Sequence, residues 1–242
     1  DGRIIFAIPY ETDFTLIGTT DMDHFELDQR PECSDLEKDY LINFANQYFE
    51  SKLKVEDIVW TYSGMRPLQD TSEGSATSVS RDYSIKVHPE DDVPLVNVFG
   101  GKITTYRKLA ENVMEKVGVY FPQMPGPWTA EAHLPGGNFP VNGVADLIDD
   151  LRKDYPFLSQ KWAERLVKAY GREAFVMLGS VRNEDELGVN FGASLRQKEV
   201  EWLIKEEFAT SVDDILWRRT KLGLRLSDKE VKTLKDWMSN QN

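Results

Sequence analysis

Cysteine and histidine are scarce in this chain. One cysteine, Cys33, among 242 residues excludes a disulfide framework and a cysteine-based metal site. His24, His88 and His133 are scattered without ligand spacing, which argues against a histidine-held metal as well. A single thiol fits a reducing compartment without requiring one. Positive charge is also in deficit: 29 Lys and Arg stand against 41 Asp and Glu, for a formal net charge of -12. Nucleic-acid binding draws on clustered cations that displace counterions, so this balance excludes it as a general function. Any cationic patch must therefore be local. No apolar run reaches the roughly 18 residues that suggest a membrane span. No signal peptide, internal repeat or low-complexity segment is visible.

Apolar residues are plentiful. At 40% hydrophobic and 11% aromatic, the composition supports a packed core and argues against disorder. The chain opens Asp1-Gly2-Arg3 and runs directly into Ile4-Ile5-Phe6-Ala7-Ile8, with no Met and no leader, as expected of a piece of a longer protein.

The pattern along the chain predicts an α+β first part and a helical second part. Residues 3–8 and 14–19 read as strands joined by a polar turn at 9–13, a hairpin signal. Ser34 stands three residues before Glu37, a capping box, and the apolar positions that follow predict a helix to about residue 51. Strands are predicted at 58–63, 76–87 and 95–99, the last an unbroken apolar run suited to burial on both faces. Gly100-Gly101 stops it and a helix follows. From 121 to 143, Pro and Gly alternate in linker fashion, which sets the expected domains at 1–122 and 123–242. Beyond, only helices are predicted, near 142–153, 159–170, 172–178, 196–209, 211–223 and 227–239, so the second domain is expected to be all-α.

Four segments can carry chemistry. In Val98-Phe99-Gly100-Gly101-Lys102-Ile103-Thr104-Thr105, a strand meets a helix start through two glycines. Glycine permits close backbone approach, and the helix start offers N–H groups and partial positive charge to an anion. Lys102 adds a mobile cation, and Thr104 or Thr105 can cap. In Tyr62-Ser63-Gly64-Met65-Arg66-Pro67, an arginine at the end of a strand, pinned by proline, suits phosphate or carboxylate recognition. Arg81 precedes Asp82-Tyr83, and Gly18-Thr19-Thr20-Asp21 ends a strand with two hydroxyls. Taken singly, each also reads as ordinary structure: a surface lysine, a structural arginine paired with one of many acids, a plain strand exit. Together, three cations at separate strand ends could converge on one dianion.

In order and spacing, these segments resemble the aerobic FAD-dependent glycerol-3-phosphate dehydrogenases. The matching stretches are 3–10 with 16–21, 58–68, 80–83, 99–108 and, in the helical part, Asp213–Gly223. The resemblance implies a truncated flavoprotein domain of the D-amino-acid-oxidase-like fold followed by the all-α domain. It implies FAD as cofactor and oxidation of sn-glycerol 3-phosphate to dihydroxyacetone phosphate, with hydride passing to the flavin and electrons to a quinone. It also implies that Arg66, Arg81 and Lys102 bind substrate, and that Gly100, Gly101, Lys102, Ile103, Thr104, Thr19 and Thr20 lie against the cofactor. A Gly-x-Gly-x-x-Gly dinucleotide turn is absent from these 242 residues, so the chain alone is not expected to hold FAD tightly or to turn over. The general base is not identifiable, because all three histidines read better as surface or structural residues. The resemblance implies a cytoplasmic protein and leaves open peripheral association with the inner membrane and a homodimer. Three alternatives stay open: a glycerophosphate oxidase that uses oxygen, an amino-acid-oxidising flavoenzyme of the same fold, and a helical interaction module without catalysis.

Overall fold

A computed structural model describes residues 4–24, 28–66, 82–88 and 94–241. The chain divides into two compact units, Asp1–Glu131 and Ala132–Asn242.

The first unit opens with strands β1 (Phe6–Tyr10) and β2 (Phe14–Gly18), paired antiparallel from Phe6↔Gly18 to Tyr10↔Phe14. β1 runs on to Tyr10, two residues past its expected end, so the turn shrinks to Glu11–Asp13, with Glu11 and Thr12 at positive φ. Helix α1 (Asp35–Tyr48) begins at the expected capping box. Ser34 accepts from the Glu37 backbone N–H, and the Glu37 carboxylate accepts from the Ser34 N–H. It ends before residue 51 because Asn46 bonds both the N–H and the carbonyl of Leu53, while Lys52 caps the carbonyls of Asn46 and Phe49. The rings of Tyr40, Phe44 and Tyr48 follow one another along α1 at helical spacing.

The expected strand at 58–63 does not form. Among the described residues a single helical turn occupies Val55–Asp57 and the chain runs on without a ladder partner. An extended backbone needs such a partner to become a sheet. Its extended course survives locally, since the i, i+2 rings of Trp60 and Tyr62 stack at 5.1 Å. Strand β3 (Ser84–His88) pairs with β4 (Leu95–Phe99) from Ser84↔Phe99 to His88↔Leu95. The expected residues 76–81 lie outside the described ones. Burial of β4 on both faces is not observed: among the described residues it pairs with β3 alone, and Leu95, Val98 and Phe99 are exposed. After Gly101 the helix starts as a tight 3₁₀ turn, Ile103–Thr105, and continues as α2 (Tyr106–Gly118). Neither threonine caps it. Thr105 instead donates its hydroxyl to the Lys102 carbonyl.

The core sits in the second unit. Among the described residues every buried hydrophobic side chain except Ala45 lies from Leu147 onward. Helices α3 (Val144–Asp154) and α4 (Gln160–Tyr170) pack together, α4 starting where Ser159 accepts from the Trp162 N–H. Then come α5 (Glu173–Leu178), a 3₁₀ turn at Glu184–Leu187, α6 (Gln197–Glu206), a π-helical turn at Asp214–Arg219 and α7 (Asp228–Ser239). Leu234 of α7 is fully buried, with Val231, Trp237 and Met238 against the core. The unit is not wholly helical. Strands β5 (Asn190–Gly192) and β6 (Leu195–Arg196) form a small hairpin whose two turn residues, Ala193 and Ser194, both have positive φ. A two-residue turn of this hand normally advertises itself with Asn-Gly, and this one does not.

One buried ion pair ties three of these pieces together. Arg165 of α4 forks onto both oxygens of Glu199 of α6, at 2.6 and 2.7 Å, and also bonds the hydroxyl and carbonyl of Ser194 in the hairpin turn. Tyr170 donates its hydroxyl to Glu199 at 2.7 Å. Burial first, and the Glu199 charge second, push the Tyr170 phenol well above its ordinary value, so it remains a donor. A second lock joins Gly136 to Gly171, both at positive φ. A Cβ on Gly136 would run into the Tyr170 carbonyl oxygen, one on Gly171 would run into the Gly136 carbonyl oxygen, and Arg172 N–H donates to that same oxygen at 2.9 Å.

This uneven burial has a measurable outcome. Residues 132–242 expressed alone are expected to unfold in one cooperative thermal transition by circular dichroism, whereas 1–131 alone shows none. Glu199→Ala leaves the Arg165 charge buried without its carboxylate and is expected to cost about 3–5 kcal/mol in denaturant unfolding of the second unit.

Candidate functional site

The candidate ligand-binding residues of the first unit lie in two places. The first is the open end of the β3–β4 hairpin. Because Ser84 pairs with Phe99, the residues just before β3 and just after β4 share that end. Asp82 and Tyr83 therefore lie beside Gly100, Gly101 and Lys102, and Lys102 Nζ stands 3.9 Å from the Asp82 carboxylate. Both side chains are largely exposed, so that ion pair contributes little and leaves the lysine able to move. The Tyr83 hydroxyl accepts from the Asn112 side-chain amide of α2 at 2.7 Å, which fixes the approach to β3 against the helix. Arg81 itself lies outside the described residues.

Gly100 and Gly101 have φ of 70° and 106°. A Cβ on Gly101 would find only ordinary van der Waals distances, 3.6 Å to Tyr83 and 3.7 Å to Leu109. Conformation, not crowding, is therefore what calls for glycine there. The glycines swing the chain from β4 into the turn at Ile103–Thr105, whose first N–H groups have no acceptor within the helix. Ile103 and Thr104 are exposed at that start. Such a turn, bare of side chains on the glycines and ringed by donors, fits the polar edge of a flavin or another anionic group. Behind it, Glu111 of α2 accepts from Arg107 at 2.6 Å, Lys108 at 3.1 Å and Thr129 at 2.6 Å. The Thr129 hydroxyl bond first, with the cations, holds the Glu111 carboxyl below its usual range. This network fastens residue 129 to the helix and occupies Arg107.

The second place is the exit of β2. Thr19 donates its hydroxyl to the Thr20 carbonyl at 2.9 Å, and Thr20 donates its own to Glu37 Oε1 at 2.5 Å. Both hydroxyl protons are thus spent inside the protein, and toward a ligand these threonines offer lone pairs. Arg66 does not end a buried strand. It is an exposed residue whose Nη1 meets Asp21 Oδ2 at 2.6 Å. A Cβ on Gly18 or Gly64 would meet no atom within 4 Å. The structure therefore brings Arg66 to Gly18-Thr19-Thr20-Asp21, and Lys102 to Asp82-Tyr83. The partnership of Arg66 with Asp21, across 45 residues, has no signal in the local sequence. His24, His88 and His133 are all exposed, and no group of three or more His, Cys, Asp or Glu able to hold a metal is found among the described residues.

The stretch Asp213–Gly223 of the helical unit is structural. Ile215, Leu216 and Leu222 are buried in the core. Arg218 is exposed and bonds Asp214 one turn back, while the half-buried Arg219 bonds the Glu207 carbonyl. Thr220 directs both its N–H and its hydroxyl at the Ile215 carbonyl, closing the π-helical turn. Trp217 lies over Gly223, where any Cβ would collide with the indole. Asp214 starts the turn as a reciprocal cap: its carboxylate accepts from Thr210 and Ser211, and Ser211 accepts from its N–H. Those bonds, the Thr210 N–H first, hold the Asp214 carboxyl far below its ordinary range. A depressed carboxyl contributes stability in full above the ordinary aspartate range near pH 4 and loses it as pH falls toward the folded value. Melting temperature followed from about pH 6 down to pH 2 is expected to drop less steeply in Asp214→Asn than in the parent.

Residues 1–100 match the family model described as FAD dependent oxidoreductase, and residues 127–239 match that of the C-terminal domain of alpha-glycerophosphate oxidase. The aerobic glycerol-3-phosphate dehydrogenase of Escherichia coli (strain K12) is 39% identical over 240 residues, 98% of this chain and 48% of the relative. The D-erythritol 1-phosphate dehydrogenase of Brucella abortus is 39% identical over 242 residues, all of this chain and 48% of the relative. The glycerol-3-phosphate dehydrogenase of Pseudomonas aeruginosa is 37% identical over 243 residues, all of this chain and 47% of the relative. The chain thus spans about half the length of the curated relatives it matches. With both family models matched in order and identity sustained from end to end, the chain is similar throughout its length to FAD-dependent oxidoreductases, the glycerol-3-phosphate dehydrogenases among them.

Proposed function

We propose that this chain supplies the substrate-phosphate side and one cofactor-facing turn of an FAD-dependent dehydrogenase that oxidises sn-glycerol 3-phosphate to dihydroxyacetone phosphate. The observation that carries the reading is the β3–β4 register, which sets Asp82-Tyr83 against Gly100-Gly101-Lys102 beside a helix start. The relatives' names supply the substrate class.

In this reading Arg66 and Arg81 bind the phosphate, a handle remote from the carbon that reacts, and so orient the C2 hydroxyl. Lys102 adds a mobile cation at the same dianion or at the cofactor edge. The N–H groups of Ile103 and Thr104 face the region where negative charge develops, with Gly100 and Gly101 admitting the ligand to the backbone. Thr19 and Thr20 accept hydrogen bonds from the cofactor at the β2 exit. FAD, when bound, would supply the redox chemistry, with hydride from C2 passing to it and electrons from it to a quinone. The proton of the C2 hydroxyl goes to a base that the described residues do not identify. With no Gly-x-Gly-x-x-Gly turn among its residues, the chain leaves the dinucleotide to the remaining half of such a protein.

Residues 1–122 and 123–242 serve as the catalytic part and a helical companion. Contact of the holoenzyme with a membrane surface, or with a second copy, belongs to the same proposal through the quinone. Among the described residues no helix is long and apolar enough to cross a membrane.

The match to the D-erythritol 1-phosphate dehydrogenase over the whole chain favours a second substrate in the same class. It would use the same phosphate handle with a longer polyol. Steady-state assay of the FAD-loaded holoenzyme with both phosphates, and with glycine as an amino-acid control, separates these cases. Arg66→Ala is expected to weaken the affinity for the phosphorylated substrate by roughly 30- to 150-fold, the worth of a charge-assisted contact of about 2–3 kcal/mol. Unchanged affinity would sink the phosphate assignment and favour a helical module without catalysis.

A further inference from the structure

We propose that Asp21 is a positioning residue: it holds the Arg66 guanidinium ready for the substrate phosphate. This rests on the phosphate role proposed above for Arg66. An exposed ion pair is ordinarily worth little, and the 2.6 Å distance between Arg66 Nη1 and Asp21 Oδ2 alone would not make one partner a positioner of the other. The difference lies in what supports each of them.

Asp21 is anchored. Its neighbour Thr20 is bonded through its hydroxyl to Glu37 Oε1 at 2.5 Å. Glu37 is held in turn by the cap of α1, where its Oε2 accepts from the Ser34 N–H at 2.9 Å and the Ser34 hydroxyl at 2.7 Å. The Asp21 carboxylate therefore projects from a backbone fixed to a helix terminus. Arg66 stands in the opposite condition: residues 61–66 are exposed and, among the described residues, join no strand ladder. A long side chain on such a stretch samples many rotamers, and each one that misses the ligand weakens binding. The contact with Asp21 removes much of that freedom. It engages Nη1, and a guanidinium carries five N–H donors in a rigid fork. The donors on its other edges can meet a phosphate while Asp21 keeps its hold.

The Asp21 charge also repels a dianion. The guanidinium stands between the two, and salt screens the exposed carboxylate. The orienting effect is not screened, so it prevails at moderate ionic strength.

The test uses the FAD-loaded holoenzyme at an ionic strength of about 0.3 M, where the Debye length is roughly 6 Å. The dissociation constant for inorganic phosphate and the KM and kcat for sn-glycerol 3-phosphate are measured for the parent, Asp21→Ala, Asp21→Asn, Arg66→Ala and the double variant. Asp21→Ala is expected to raise both the phosphate constant and KM about three- to tenfold, with kcat falling by less than KM rises. Asp21→Asn, which keeps an oxygen for Nη1, recovers part of the loss. In the Arg66→Ala background the same Asp21→Ala change has no further effect, because its only route to the ligand is gone. If Arg66→Ala weakens phosphate binding while Asp21→Ala leaves it equal or tighter, the positioning role is overturned and the phosphate reading survives. If Arg66→Ala itself changes nothing, the phosphate reading falls and this inference falls with it.

Discussion

Glu37 divides its carboxylate between two structures. One oxygen closes the cap of α1, and the other receives the Thr20 hydroxyl from the exit of β2. A hairpin and a helix far apart in sequence thus share one anion, and the residue after Thr20 inherits a defined position. That residue is Asp21, and it holds Arg66. The pull of these bonds outweighs burial, so the Glu37 carboxyl stays below its ordinary range and remains ionised at neutral pH. The exit of β2 is in this sense an extension of a helix cap. The strand pairing alone would leave it an unsupported end.

The two units are stabilised by different means. The second has a continuous apolar core that holds the Arg165–Glu199–Tyr170 cluster, where each carboxylate oxygen finds a donor. The first holds its pieces through caps, turn bonds and the Glu111 network, while the strands keep apolar side chains in solvent. Those exposed strand faces belong to the same unit as every residue proposed to touch ligand.

Legibility of the sequence tracked the range of the interactions involved. Helices were legible where a short-range cap announced them, as at Ser34 with Glu37. Strands were legible in β1–β2 and β3–β4, where both partners sit in one hairpin, and illegible at 58–63, which joins no ladder among the described residues. The apolar run of β4 read as a buried strand because composition reports affinity for a core without reporting whether a layer covers it. The β5–β6 turn escaped because Ala193 and Ser194 adopt a conformation that their residue types do not advertise, held there by Arg165. At the candidate site, Gly100-Gly101-Lys102 could be read from spacing and its neighbourhood with Tyr83 could not. The tie between Arg66 and Asp21 is likewise a fact of tertiary structure. The family resemblance singled out these residues but said nothing of what they touch.

The backbone crossing of Gly136 and Gly171 carries a last implication. Each glycine's carbonyl region fills the space where the other's side chain would begin, so neither position can acquire a methyl group without moving both strands of chain. A side chain at either site would therefore displace the other, although they lie in different segments. One belongs to a Pro- and Gly-rich stretch that composition would mark as slack tether. In the fold it is a fixed joint, and the freedom of the connecting chain is spent before that joint begins.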